Sequence, residues 1–203
     1  MATFYCSIQT ITRGDIRTTV AAAAYRAGES IFCTSSQRRN DYRAKQDVIH
    51  SEILLPKHAP AMYADRAVLW NAVEEIEIEE GVDLAREIMV ALPLELSHEQ
   101  SRELVFTYVR EQFVAHGMCA DICIHDDGSG NPHAHIMLTM RAFAEDKSWG
   151  ERFPTVSPAG INTWRAAWEK SANQCFAEHG YNERIYHMPL AAVKSKDKEW
   201  YVW

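Results

Sequence analysis

The segment from His125 to His135 predicts a tight β-hairpin that carries three histidines. The seven residues between His125 and His133 read Asp-Asp-Gly-Ser-Gly-Asn-Pro, and these types favour a reversal of the chain. Apolar runs lie on both sides of this turn, as two paired strands require. His133 and His135 are two residues apart, so on a strand both rings leave the same face. The three imidazoles can therefore meet at one point.

Three neutral imidazoles leave coordination positions open on a divalent ion, as in a catalytic rather than a structural metal site. A single histidine on a strand is more often a polar residue at a sheet edge. Three on the facing arms of one hairpin favour a shared ion, so His125, His133 and His135 are the predicted ligands. Imidazole ligands by themselves favour Zn²⁺, Ni²⁺ or Co²⁺.

Length and composition fit one small domain with a single core, because the chain has 203 residues, of which 47% are hydrophobic. No apolar run reaches the roughly 18 residues of a membrane span. The first residues lack the pattern of a secretory signal, so we expect a cytoplasmic protein. The five cysteines are odd in number and lie mostly in apolar runs, which indicates reduced core residues.

The net charge of −7 is unevenly distributed along the chain. Residues 1–50 hold seven Lys or Arg against four Asp or Glu, whereas residues 51–100 hold three against eleven. A locally basic face can bind a phosphate backbone even when the total charge is negative. The charge distribution by itself agrees equally well with a solvent-exposed surface that binds no ligand. The candidate DNA contacts in the basic quarter are Arg26, Arg38, Arg39 and Arg43.

Hydrophobic periodicity predicts an α+β order of elements along the chain. Helices are expected over 18–28, 63–80, 97–117 and 162–180, the third opening with a capping box at Ser97-His-Glu-Gln100. Strands are expected over 3–12, 87–93 and in the hairpin of residues 118–141. The polar stretch 29–48 shows no clear period and predicts a long surface loop, and a second polar loop follows the hairpin.

Two residues outside the hairpin are candidates to complete a site. Tyr25 has small alanine neighbours that would let a bulky substrate approach its hydroxyl, although a packed aromatic is the alternative interpretation. Glu87 opens an apolar strand, where a carboxylate could orient a ligand imidazole or accept a proton from the tyrosine. A salt bridge to Arg86 or to another neighbour is the alternative for Glu87. Tyr42, in the basic stretch, is a possible accessory nucleophile.

Four separated motifs occur in one order along the chain. They are Ala-Ala-Ala-Tyr-Arg-Ala-Gly-Glu within 18–29, Leu-Trp-Asn-x-Val-Glu at 69–74, Ala-Arg-Glu-x-x-x-Ala-Leu-Pro at 85–93, and the segment from His125 that ends in Pro-His-Ala-His135. Together they resemble the MobA/MobL family of plasmid mobilisation relaxases, within the class of HUH endonucleases. The resemblance covers about residues 3–190. It weakens at 182–185, where relatives tend to show Asp-x-Arg-Ser and this chain reads Asn-Glu-Arg-Ile.

This resemblance implies a central antiparallel β-sheet with flanking helices and a tyrosine that nicks one DNA strand at a plasmid transfer origin. It assigns Tyr25 as nucleophile, Glu87 as the acidic residue, and the three histidines as ligands of one divalent ion, Mn²⁺ or Mg²⁺. The implied partners are single-stranded origin DNA, accessory mobilisation proteins and a type IV secretion coupling protein. Residues 1–190 would form the relaxase domain, and 191–203 a tail or the start of a linker.

Three other classes of protein share part of this pattern. A rolling-circle replication initiator endonuclease has the histidines, but its tyrosine lies C-terminal to them, whereas Tyr25 lies N-terminal. A three-His metal-dependent hydrolase needs no nucleophilic tyrosine and leaves the basic stretch 38–45 unexplained. A non-catalytic DNA-binding module needs neither open metal positions nor Tyr25.

Overall fold

The computed structural model describes residues 4–13, 18–78 and 82–187, and its centre is a five-stranded antiparallel sheet flanked by helices. The strand order is β1-β5-β7-β6-β4, which confirms the predicted α+β class. The elements are β1 (Cys6–Thr12), α1 (Thr19–Ala27), β2 (Ser30–Cys33), β3 (Arg38–Asp41), β4 (Val48–Leu54), α2 (Arg66–Ile76), β5 (Asp83–Ala91), α3 (His98–Gln112), β6 (Ala120–His125), β7 (His133–Thr139), β8 (Arg141–Phe143), β9 (Trp149–Arg152) and α4 (Pro158–Glu178). Short 3-10 helices span Ala61–Ala64 and Val114–His116.

The central sheet is covered by helices on both faces, because successive side chains of each strand point to opposite sides. Ile122, Ile136 and Ile88 lie side by side in the strand register and pack with α3 and α4 in the larger core cluster. Met137, one residue beyond Ile136, packs instead with Leu69 of α2 in the second cluster. The face toward α1 and α2 carries the three histidines and Glu87. The positions of these two helices therefore determine how much of these side chains is exposed to solvent.

Helix α1 packs closely because three of its five buried residues are alanines. Val20, Ala23, Ala24 and Ala27 are buried, and their spacing of i, i+3, i+4 and i+7 forms one apolar stripe. The Thr18 side chain caps the N-terminus by accepting a hydrogen bond from the Ala21 amide. Its C-terminus, with Tyr25 and Arg26, therefore lies against the sheet in a fixed position.

A buried ionic cluster fixes α2 to the sheet. The Arg66 guanidinium donates from Nη2 to Asp121 of β6 at 2.8 Å and also pairs with Glu29. The indole nitrogen of Trp70 donates to the other oxygen of Asp121 at 2.8 Å. Arg66 and Asp121 are almost fully buried, so each charge depends on the other for compensation. The buried Asp121 carboxylate is thus compensated by hydrogen bonds from two residues of one helix, Arg66 and Trp70.

The stretch 29–48, predicted as a loop, contains a two-stranded hairpin of β2 and β3 and reaches the start of β4, so that prediction was wrong. Ile31 and Cys33 are buried while Phe32 is exposed, which is the alternation of a strand with one covered face. Four residues are too few for this period to stand out in the sequence. Gln37 has a positive φ of 54° in the turn, a conformation uncommon outside glycine.

Other element boundaries also differ from the sequence predictions. The second helix starts later, at Arg66 after its Asp65 cap, and ends at Ile76, while residues 79–81 lie outside the described part. Strand β5 starts four residues earlier than predicted, and β8 and β9 form a hairpin in the second predicted loop. Helix α4 starts earlier, because Ser157 caps it and Pro158 suits its first position.

Several composition-based predictions are confirmed by the fold. All five cysteines are buried and free, and the Ser97–Gln100 capping box is present at α3. In the described ranges, no helix combines the length and hydrophobicity that crossing a membrane requires. The predicted boundary at residue 190 lies outside the described residues.

Replacing Asp121 with alanine should destabilise the protein strongly. The change leaves the buried Arg66 charge without its main partner, and breaking one side of such a pair typically costs about 3–5 kcal/mol. Urea denaturation should show a loss of that size in the free energy of unfolding. The control Glu52→Ala removes an exposed partner of Arg102 and should cost under about 1 kcal/mol. Equal stability of the two variants would contradict this role of Asp121.

Candidate active site

The pairing of β6 with β7 brings the three predicted metal ligands together. His125 lies directly opposite His133, and His135 is two residues further along the same face of β7. The ring centroids are 4.9 to 5.3 Å apart, and one nitrogen of each ring lies within 4.8 Å of those of the other two. His125 is buried, whereas His133 and His135 are partly open to solvent. An ion bound here would be covered by protein on the side of His125 and accessible to a substrate on the side of His133 and His135.

Each ring is oriented by a hydrogen bond from one of its nitrogens. His133 donates from Nδ1 to the Asn131 carbonyl oxygen at 2.8 Å, and His135 from Nδ1 to Glu87 at 2.8 Å. His125 donates from Nε2 to the Arg26 carbonyl oxygen at 2.6 Å. The second nitrogen of each ring then keeps its lone pair, which is how metal-binding imidazoles are held. The donor set therefore fits a divalent ion.

Burial keeps the innermost histidine in its neutral form. Desolvation lowers the pKa of His125 to about 4, although the hydrogen bond to the Arg26 carbonyl oxygen acts in the opposite direction. A neutral imidazole is the form that binds metal ions. The site is thus prepared for an ion at neutral pH without first having to lose a proton from His125.

Glu87 connects three elements through one buried carboxylate. It accepts hydrogen bonds from Gln9 of β1 at 2.7 Å, from Arg26 of α1 at 2.5 Å and from His135 of β7 at 2.8 Å. Burial by itself raises the pKa of Glu87, but the hydrogen bonds from His135 and Arg26 outweigh burial and lower that pKa to about 2. The carboxylate is therefore ionised at any physiological pH.

These contacts favour one of the two roles predicted for Glu87. A general base works best when its pKa lies near the working pH, and a carboxyl with a pKa of about 2 accepts protons poorly. Orientation of the His135 ring, by contrast, is observed directly. The alternative interpretation, a salt bridge, is also present, and its partner is Arg26. Arg86 is not the partner, because its guanidinium donates to the Pro154 carbonyl oxygen on the opposite side of the sheet.

Tyr25 lies on the exposed side of α1, beside this network. Its side chain is 48% exposed and, with Arg26 and Glu87, lines a cavity of about 400 Å³. Its ring meets the Tyr42 ring edge-on, with 5.2 Å between centroids. An aromatic side chain that serves only packing would be covered, so the exposure of Tyr25 favours the functional interpretation. Tyr42 is close enough to support the position of Tyr25.

Lys45 and Asp47 link Tyr25 to the histidines, and sequence reasoning did not single them out. The Lys45 ammonium lies 4.3 Å from the centroid of the Tyr25 ring, a cation–π contact, and 3.1 Å from an Asp47 carboxylate oxygen. That same oxygen is 3.6 Å from Nδ1 of His125. The pairing of β4 with β6 and the approach of α1 create these contacts, and no local pattern indicates them. Gln9 was missed for the same reason, since it reaches Glu87 only through the pairing of β1 with β5.

The arginines predicted to bind DNA occupy two different environments. Arg26 is mostly buried, and its guanidinium is engaged by Glu87 and by the Ala22 carbonyl oxygen. Arg38, Arg39 and Arg43 are exposed on or beside the β2–β3 hairpin, whose inner side packs against α1. Arg43 pairs with the exposed Asp41, which leaves its charge partly compensated. DNA contact by all four residues stays a prediction.

The fold as a whole is shared with solved protein structures. A solved chain described as "Molecular Basis of Vancomycin Resistance Transfer in Staphylococcus aureus" matches 93% of this chain and 100% of its own, with a TM-score of 0.86 and 27% identity. A solved chain of the conjugative relaxase TrwC, in a metal-bound complex with oriT DNA, matches 89% of this chain and 72% of its own, with a TM-score of 0.55 and 13% identity. The second likeness concerns the fold alone.

The chain belongs to the MobA/MobL family, whose model matches residues 17–160. It is 39% identical to the conjugal transfer protein TraA of Rhizobium radiobacter, over 97% of this chain and 20% of that protein. It is 30% identical to the mobilization protein MobL of Acidithiobacillus ferridurans, over 92% of this chain and 58% of that protein. The chain thus spans about a fifth of the TraA relative and somewhat over half of the MobL relative.

Removal of two of the histidines should abolish metal binding. We expect His133→Ala combined with His135→Ala to lose stoichiometric Mn²⁺ in calorimetric titration, because one imidazole cannot hold the ion. Both side chains lie at the open side of the site, so the far-UV circular dichroism spectrum should not change. His98→Ala removes a solvent-exposed histidine outside the cluster and should bind as the unmodified protein does. One ion per chain in the double variant would contradict the assignment.

Proposed function

We propose that this protein nicks and rejoins one DNA strand at a plasmid transfer origin through a covalent tyrosine intermediate. The observation that carries the proposal is an indirect link between Tyr25 and the histidines, made by its chain neighbour Arg26 and by Lys45, which lies against its ring. One link runs through hydrogen bonds from Arg26 to Glu87 and on to His135. In the other, Lys45 pairs with Asp47, whose carboxylate lies 3.6 Å from Nδ1 of His125 without a hydrogen bond. The family supplies the class of substrate, since conjugal transfer and mobilization are named in the relatives.

The reaction proposed is a transesterification at phosphorus. The Tyr25 oxygen attacks the scissile phosphate, a new bond joins that oxygen to phosphorus, and the bond to the 3′ oxygen of the preceding nucleotide breaks. The phenol proton is lost to solvent and the departing 3′ oxygen gains a proton. The product is a 5′-phosphotyrosine diester and a free 3′ hydroxyl. Because one ester replaces another, the reverse reaction can rejoin the strand without an external energy source.

The chain's own residues position the reactants. Lys45 and Tyr42 hold the Tyr25 ring from two sides, while the alanines around it leave space for a DNA backbone. Glu87 holds the ring of His135, and the carbonyl oxygen of Arg26 holds that of His125. A divalent ion bound by the histidine triad, which is His125, His133 and His135, would neutralise the non-bridging oxygens of the phosphate. We propose Mn²⁺ or Mg²⁺ as the physiological ion.

The substrate strand would extend from the site across the β2–β3 hairpin. Three exposed arginines, Arg38, Arg39 and Arg43, lie there, and exposed cations attract a phosphate backbone. The Arg39 guanidinium lies 5.8 Å from the Phe32 ring centroid, which leaves one exposed aromatic next to a cation. Accessory mobilisation proteins and a type IV secretion coupling protein are the further partners we propose, with a cytoplasmic location.

Loss of the Tyr25 hydroxyl should abolish the covalent adduct. Incubated with single-stranded origin DNA and Mn²⁺, the unmodified protein should give a protein–DNA band that survives denaturing electrophoresis. Tyr25→Phe removes one exposed oxygen and keeps the ring, so the variant should fold and bind DNA but form no adduct.

The matched control is Tyr42→Phe, because its ring touches that of Tyr25. It should form the adduct at a rate within a few-fold of the unmodified protein. An adduct from Tyr25→Phe, or its loss in Tyr42→Phe alone, would assign the nucleophile to another residue.

Removing the three hairpin arginines should weaken DNA binding and reduce its dependence on salt. Each phosphate contact contributes about 0.7 to the slope of log affinity against log salt for single strands. The triple variant at Arg38, Arg39 and Arg43 should therefore lower that slope by up to about 2, measured by fluorescence anisotropy. Replacing Arg102 and Arg110 of α3, on the opposite side of the sheet, should leave the slope unchanged. An unchanged slope in the triple variant would show that DNA binds elsewhere.

A further inference from the structure

A second cavity adjoins the histidines. Its volume is about 430 Å³, and among the residues that line it are Tyr5, Met89, Leu94, Asn131, Pro132 and His133. His133 belongs to both the triad and the cavity wall. We call this space the Tyr5 cavity.

We call the cavity of about 400 Å³ that Tyr25 lines the Tyr25 cavity. Along β5, the Tyr25 cavity lies toward one end of the histidine triad, and the Tyr5 cavity runs beside the triad and past its other end. Glu87, which lines the Tyr25 cavity, is followed on the same face of β5 by Met89 and Ala91. Met89 lies opposite His135 and Ala91 opposite His133. The Tyr5 cavity begins at Met89 and continues past Ala91 to Leu94. A strand of DNA that crossed the triad from Tyr25 would therefore arrive in the Tyr5 cavity.

The lining of the Tyr5 cavity fits an uncharged, flat group better than a phosphate. Among the described residues around it there is no Lys, Arg, Asp or Glu. Tyr5 is 47% exposed and Leu94 is 65% exposed, so an aromatic face and an aliphatic side chain are available for contact. Aromatic side chains in such settings stack on nucleobases with little regard to base identity. The volume lies within the range of small-molecule sites.

The geometry of the proposed reaction selects which base would enter. In an in-line displacement, the attacking and leaving oxygens lie on opposite sides of the phosphorus atom. If Tyr25 attacks from its own cavity, the nucleoside that bears the leaving 3′ oxygen lies on the far side of the triad. We infer that the Tyr5 cavity is the subsite for the base of that nucleotide, stacked on Tyr5. This inference rests on the proposed function.

The test uses the strand that the reaction releases. The unmodified protein first cleaves origin DNA, and sequencing of the released 3′ end locates the nick. A short labelled oligonucleotide that ends in this 3′-terminal nucleotide is then titrated with protein and Mn²⁺ by fluorescence anisotropy. A second oligonucleotide has an abasic residue at the same position. We expect the intact strand to bind about ten- to one-hundred-fold more tightly.

Substitutions in the Tyr5 cavity should remove the preference for the intact strand over the abasic strand and leave the rest of DNA binding unchanged. Tyr5→Ala should weaken binding of the intact strand by the same factor and leave binding of the abasic strand unchanged, whereas Tyr5→Phe should behave as the unmodified protein does. Leu94→Ala should reduce the preference in part. Met62→Ala is the matched control, since this side chain is 60% exposed and does not line the cavity.

Three outcomes would overturn the subsite. They are equal binding of intact and abasic strands, an equal loss for both strands in Tyr5→Ala, and a preference that follows the base on the 5′-phosphate side of the nick. The proposed function fails in a different way, because the unmodified protein would then give no covalent adduct and no nick. A subsite that depends on that reaction would fall with it, whereas a normal adduct without base preference would refute the subsite alone.

Discussion

The buried carboxylate of Glu87 is the interaction on which this site depends. An ionised carboxylate in a protein interior is costly unless hydrogen bonds and an opposite charge compensate it. Here the compensation comes from Arg26 of α1, Gln9 of β1 and His135 of β7. A change in the position of any of these three elements would deprive Glu87 of one of its donors. The helix that carries Tyr25 is therefore held in register with a strand that carries two of the histidines.

A second constraint is that α1 must approach the sheet closely while Tyr25 stays open to solvent. Alanines on the buried side permit the approach, and Arg26, next to Tyr25, reaches under the helix to Glu87. Among the residues that the structure describes, Tyr42 and Lys45 make the ring contacts of Tyr25, and both are partly buried. The scaffold is thus fixed by buried contacts, and the proposed nucleophile projects from it.

Those parts of the site that follow from local periodicity could be predicted from the sequence. The triad is an example, because a turn-rich segment of seven residues and a spacing of two determine which rings share a face. The capping box at Ser97 is another, since it is contained within four residues. The contacts that join distant segments could not be predicted in this way. Gln9 meets Glu87 across 78 positions, and nothing near either residue indicates that β1 pairs with β5.

The β2–β3 hairpin and Lys45 were missed because local periodicity does not indicate either of them. Strands of four residues show too little alternation, and their arginine-rich outer side hides the buried Ile31 and Cys33. The family resemblance indicated Tyr25 and Glu87 but did not specify how they are linked. That link, through Arg26 on one side and Lys45 with Asp47 on the other, is visible only in the folded chain.

We propose that Tyr25 and the histidine triad form one reaction centre. The most direct measurement is to trap the covalent product with single-stranded origin DNA, digest both components, and locate the attached nucleotide by mass spectrometry. We expect a 5′-linked nucleotide on Tyr25, formed only when a divalent ion is added. A nucleotide on Tyr42 or another residue, or one formed equally well with the ion chelated, would contradict it.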